Sequence, residues 1–146
     1  MAPPRSPGSD RRSDARERAL YLLYEAASKD AALDDVLAGQ MSPPDELTVQ
    51  LVHGVSEHRE RLDAAIAARA TGWSLARMAV LDLNVLRLAA FELAERPDVP
   101  VAVVIDEAVE LAKRFSTDNS GRFVNGVLSA LALDLRPPDD SHPRNP

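Results

Sequence analysis

The chain predicts an all-α fold, a compact bundle of six or seven helices. Apolar residues recur at helical spacing throughout residues 13–135, and no segment alternates apolar and polar residues over the length of a strand. Helix-starting and helix-stopping residues punctuate the chain at short intervals, the pattern of short connections between neighbouring helices.

Taken in order, Ser13 is placed to cap a first helix in which Ala15, Ala19, Leu22, Leu23 and Ala26 form one apolar stripe. A short second helix carries Leu33, Val36 and Leu37 and stops at Gly39. After the linker MSPP (41–44), residues 45–70 read as one long helix or two, with the break near Gly54 and Ser56. Ser74 caps the next segment, which ends before Pro97 because proline lacks the N–H that would continue it. Pro100 opens VAVVIDEAVELAKRF, where the β-branched start favours a strand, but the DEAVELAK continuation has helical spacing and decides for a helix. The last helix is capped by Ser120 and buries Phe123, Val124, Val127, Leu128 and Leu131.

That last helix contains an anomaly. Asn125 and Gly126 sit on its outer face with Arg122 and Ser129, and an interior Gly costs about 1 kcal/mol relative to Ala. Either another element packs closely over this face or a partner approaches its backbone.

The length of 146 residues, 45% of them hydrophobic, suits one domain with a real core and is too short for two ordinary ones. Residues 1–12 form an Arg-containing tail rich in Pro and Ser, and RPPDDSHPRNP (136–146) closes the chain; both are expected to be disordered. Cysteine is absent, which excludes disulfides and thiolate metal sites and suits a reducing cytoplasm. No apolar run reaches the roughly 20 residues needed to span a bilayer, so no membrane role is expected.

Catalytic motifs are missing: there is no Gly-rich phosphate loop, no H-E-x-x-H and no G-x-S-x-G. His53 and His58 are five apart and do not share a helical face, so no metal is expected there. Asp106, Glu107 and Glu110 lack the E-x-x-H partners of a di-iron bundle. No enzyme activity and no cofactor are expected.

The formal net charge of −6 argues against nucleic acid as a partner, but the charge is unevenly placed. Residues 1–24 carry five Arg against three acids. If the first helix extends back to the Arg pair, Arg12 and Arg16 share a face with Leu20 and Tyr24. Guanidinium groups fork onto phosphate and tyrosine stacks on unpaired bases, a combination suited to single-stranded RNA; Tyr24 equally suits the core. At the start of the last helix, Ser120, Gly121 and Arg122 are expected to offer unpaired N–H groups, the positive dipole end and a cation to a phosphate.

The segment LRLAAFELAERPDVPVAVVIDEAVELAKRFSTDNSGRFVNGVL (86–128) resembles the signature half of the NusB family of bacterial transcription antitermination factors, with DEAVELAK and FVNGVL its most specific pieces. RRSDARERALYLLYE (11–25) resembles the family's Arg-rich start. The resemblance implies two helical subdomains, no enzymatic activity and cytoplasmic binding to the boxA element of ribosomal RNA leader transcripts. It further implies that NusE, a small-subunit ribosomal protein, binds alongside, in an RNA polymerase antitermination complex that reads through terminators. By position it implies RNA contacts from Arg11, Arg12, Arg16 and Tyr24, and from Asp118, Asn119, Ser120, Gly121, Arg122 and Phe123, with Asp82 as a NusE contact. The arginines, at or beyond the helix start, are expected to be exposed. The family usually has an acid directly before the Ser, where this chain has Asn119. Two alternatives keep the fold but change the role: a protein-only scaffold that has lost RNA binding, and the RNA-targeting module of an rRNA methyltransferase.

Overall fold

Apolar spacing and local capping build seven α-helices and one 3-10 turn in the computed structural model, which describes residues 11–137; no strand occurs among the described residues. The tails at 1–10 and 138–146 lie outside the described residues.

Helix α1 spans Arg11–Lys29, so Arg11 and Arg12 belong to a helix and not to a tail. Ser13 is no cap: it lies buried inside α1 and donates its hydroxyl to Glu107 at 2.6 Å. The helix ends with Asp30 in the left-handed region (φ 50°) and the Ala31 N–H on the Ala26 carbonyl, a closure that more often uses glycine.

Helix α2 (Leu33–Ala38) stops at Gly39 as expected, and α3 (Glu46–Glu57) is capped by Asp45, which accepts from the Thr48 N–H at 2.8 Å. The 45–70 segment is two helices, with α4 spanning Arg59–Arg69 and the break at His58. Gly54 has a different task from breaking the helix. A Cβ there would fall 2.2 Å from Phe91 Cζ, so only glycine lets α3 approach the next long helix this closely.

That helix, α5, spans Val80–Glu95 and starts later than the sequence suggests. Leu75–Arg77 form a 3-10 turn, and Met78 and Ala79 are extended (ψ 146° and 137°). Met78 is buried in an otherwise exposed connection, and seating it overrides the local helical preference. Helix α6 (Val101–Phe115) confirms the helical reading of VAVVI, burying Val104, Ala108, Leu111 and Ala112 along one face. Helix α7 spans Asp118–Leu135.

Helix α5 is the axis of the bundle, buried continuously from Asn84 to Leu93. It packs against α1, α3, α4, α6 and α7, so that two helical subdomains, α1–α4 and α5–α7, share one core. Arg136, counted with the closing tail from sequence, is part of this domain. Its guanidinium donates to the carbonyls of Glu92, Leu93 and Arg96 around the end of α5 and of Val99 in the connection to α6, tying the end of α7 to that turn.

Candidate nucleic-acid interface

The first turn of α1 presents Arg11 and Arg12 to solvent. One turn later the expectation fails: Arg16 is 3% exposed, and its Nε donates to both Glu92 carboxylate oxygens at 2.9 and 3.1 Å. A cation on the same helical face as Leu20 lands in the interior, and a buried carboxylate on α5 makes that tolerable.

Further along, Glu17 pairs with Arg114 at 3.2 Å, and the Arg114 guanidinium lies 4.9 Å from the Phe115 ring centre. Tyr21 is 52% exposed and meets Phe115 edge-on at 5.2 Å. Desolvation by these neighbours raises the Tyr21 phenol above its ordinary range, reinforced by the Glu17 charge and opposed by Arg114, so it stays a neutral hydrogen-bonding group. Tyr24 is also exposed, which settles it as a surface tyrosine.

The pairs Ser13–Glu107, Glu17–Arg114 and Tyr21–Phe115 advance together along both helices, so α1 and α6 run in the same direction. Tyr21 therefore stands where α6 ends and the chain turns into α7. Sequence reasoning missed Tyr21, although its position off the Ala15, Ala19, Leu22, Leu23 stripe signals exposure.

The start of α7 is built differently from expectation. Thr117 is its cap, accepting from the Ser120 N–H at 3.0 Å, while the Gly121 N–H bonds the Thr117 carbonyl. These two amides are taken, so they are not free to cradle a phosphate. Ser120 turns inward and donates its hydroxyl to Asp82 Oδ2 at 2.9 Å, with the Ser116 and Thr117 hydroxyls beside it. Gly121 is also buried, and a Cβ there would fall 2.8 Å from Lys113 Cγ. The outward-facing groups are Asp118, Asn119 and Arg122, with Phe123 half-buried.

Asp82 is 9% exposed, and its Oδ1 has no hydrogen-bond partner among the described residues. It forms part of the wall of a pocket of about 180 Å³ with Trp73, Met78, Asn119, Ser120 and Phe123. Trp73 is half-exposed and its ring lies 5.5 Å from that of Phe123. Sequence reading passed over Trp73 because it falls in a loop with no helical register. On the outer side of α7, a Cβ placed on Gly126 would meet nothing within 4 Å among the described residues beyond the neighbouring backbone of its own helix. Among the described residues no element packs over that face, and Asn125 is exposed there.

Fold and surface together define a class: a small all-helical adaptor with cationic and aromatic side chains along its first helix and at the start of its last. The NusB family model matches residues 13–133, and the chain belongs to the NusB family. It is 48% identical over 136 residues to the transcription antitermination protein NusB of Anaeromyxobacter dehalogenans, covering 88% of this chain and 95% of that one. It is 42% identical over 127 residues to the protein of the same name from Bacillus subtilis, covering 86% and 97%. Among solved structures, T. maritima NusB superposes with a TM-score of 0.75 at 34% identity, covering 90% of this chain and 92% of that one. NusB in a crystal structure of antitermination factors NusB and NusE with double-stranded RNA gives 0.73 at 26% identity, covering 84% and 96%. No helix among the described residues is long and apolar enough to cross a membrane.

Proposed function

We propose that this chain is a transcription antitermination factor, without enzymatic activity, that binds boxA-type RNA of ribosomal leader transcripts together with NusE. It works within the cytoplasmic RNA polymerase antitermination complex. The observation that carries the reading is the juxtaposition made by the fold: an exposed Arg11 and Arg12 and an aromatic row on α1 lead to the start of α7. Family membership and the likeness to a NusB that is seen with NusE and RNA support it. Arg11 and Arg12 hold phosphates, Tyr24 and Tyr21 stack on bases, and Asp118, Asn119, Arg122 and Phe123 complete the track. Ser120 and Gly121 shape it from inside. Asp82 receives a NusE group through the pocket beside Trp73.

The test is an Arg11→Ala/Arg12→Ala variant titrated with a boxA oligonucleotide at several salt concentrations. Its melting temperature stays at the parent's value, affinity falls, and the log-log salt slope flattens by about 0.7 for each lost contact to single-stranded RNA. Unchanged affinity favours the protein-only scaffold. NusE and RNA should each raise the other's affinity by the same factor, as linkage requires, and independent binding in a calorimetric cycle contradicts joint recognition.

A further inference from the structure

The first two turns of α1 carry side chains that pair with α5 and α6. Arg16 and Glu92 each have side chains 4% exposed and face one another across α1 and α5. Ser13 reaches Glu107 on α6, and Glu17 reaches Arg114 near the end of α6. Beside the apolar packing of α1 on α5, these polar pairs help to fix how the first two turns of α1 sit against the second subdomain. Arg12 stands one turn ahead of Arg16 on the same face of the helix. Whatever holds Arg16 therefore sets the direction in which Arg12 emerges.

We propose that Arg16 is a positioning residue: paired with Glu92, it sets the angle at which α1 presents Arg11 and Arg12 to RNA, and it touches no phosphate itself. This rests on the RNA-binding reading above. Its physical basis is the cost of the alternative. For Arg16 to reach a phosphate, its guanidinium would have to leave Glu92 and strand a carboxylate charge in the interior. Arg11 and Arg12 have no such obligation among the described residues, and they carry the salt-dependent part of the affinity. Arg16 thus acts on RNA through geometry, and its charge is already spent on Glu92.

The experiment compares boxA oligonucleotide binding, at several salt concentrations, for the parent, Arg16→Met, Glu92→Gln and the double variant Arg16→Met/Glu92→Leu. Arg16→Met alone loses RNA affinity, because the unpaired Glu92 displaces the start of α1. Adding Glu92→Leu removes the stranded charge and returns affinity to within about threefold of the parent, with an unchanged salt slope. A folded double variant whose slope flattens by about 0.7 overturns the proposal, since that is the loss of one phosphate contact. Glu92→Gln decides the question even if the double variant does not fold. It neutralises the counter-charge and leaves the Arg16 guanidinium buried and uncompensated, so RNA affinity is expected to fall as it does in Arg16→Met, with no flattening of the salt slope. A slope steeper by about 0.7 would mean that Arg16, once released, adds a phosphate contact that it does not make in the parent, as the proposal requires. Affinity and slope both at parental values would mean that the pair with Glu92 does not set the angle of α1, which overturns the proposal. A parent chain with no salt-dependent RNA binding overturns the functional reading itself, an outcome distinct from either slope change.

Discussion

The start of α1 and the start of α7 both bear candidate RNA contacts above buried polar groups, but the two foundations differ. Beneath Arg11 and Arg12 lies an ion pair, Arg16 with Glu92, in which each charge answers the other. Beneath Asn119 and Arg122 lies a knot of hydroxyls, Ser116, Thr117 and Ser120, that meets one carboxylate, Asp82, and leaves one of its oxygens without a partner among the described residues. The first arrangement is closed and serves rigidity. The second is left open at a pocket, where an incoming group can complete it.

The sharpest way to break the α1 foundation is Arg16→Ala, which leaves Glu92 buried and uncompensated. It is expected to destabilise the fold by about 3–5 kcal/mol in chemical denaturation. A cost under about 1 kcal/mol would mean that water reaches the pair and that the two sites differ less than their burial suggests.

At the α7 foundation the corresponding change is Ser120→Ala. It removes one hydroxyl and leaves Asp82 with neither oxygen bonded by Ser120, for an expected cost of about 1–3 kcal/mol. Because the pocket stays open, NusE affinity should fall or rise with the exposure of Asp82, whereas the salt slope for RNA should hold. A changed salt slope would place a phosphate on Ser120 after all.

Asn119→Asp is a smaller test with two opposed signs. A carboxylate in the first turn of α7 complements the helix dipole and should stabilise the free protein by about 0.3–1 kcal/mol. The same charge next to Arg122 repels RNA, so boxA affinity should drop. Loss of both stability and affinity would indicate local damage to the fold, and undiminished affinity at low salt would move the RNA path away from α7.

The smallest expected effect contrasts two caps. Hydrogen bonding by Thr48, through its side chain and its backbone amide, holds the exposed Asp45 carboxyl below the usual carboxylate range. A lowered folded-state pKa contributes stability above the unfolded value and loses it as pH falls through the folded one. Acidification below about pH 4 should therefore weaken α3, and Asp45→Asn should flatten that dependence. The cap of α7, Thr117, has no charge to titrate. Hydrogen exchange of the first-turn amides of α3 and α7 between pH 5 and 3, corrected for intrinsic rates, checks the contrast; equal loss of protection at both ends would contradict it.

Much of this molecule was legible in its sequence because local physics decides it. Apolar spacing alone places α2, α6 and α7, stops α2 at Gly39 and rejects a strand at VAVVI, since period 3.6 and period 2 cannot both bury the same residues. The family resemblance is equally a property of the string, but Arg12 and Tyr24 share a helical face with the buried Arg16 and Leu20, so their exposure is decided by where the packed bundle ends and not by their places around α1. Partners from other helices settle the remainder. Serine is a good cap when nothing else claims its hydroxyl, yet Glu107 claims Ser13 and Asp82 claims Ser120. Arginine at a helix start suggests solvent, yet Glu92, 76 residues away in sequence, takes Arg16 inside. Gly54 resembles a helix breaker until Phe91 fills the space where its side chain would be. Sequence fixes periodicity and therefore which face of each helix is apolar; only the packed bundle fixes which polar groups meet across those faces. Burial makes an unpaired charge or hydroxyl costly, so distant partners, not local propensity, assign these residues their roles.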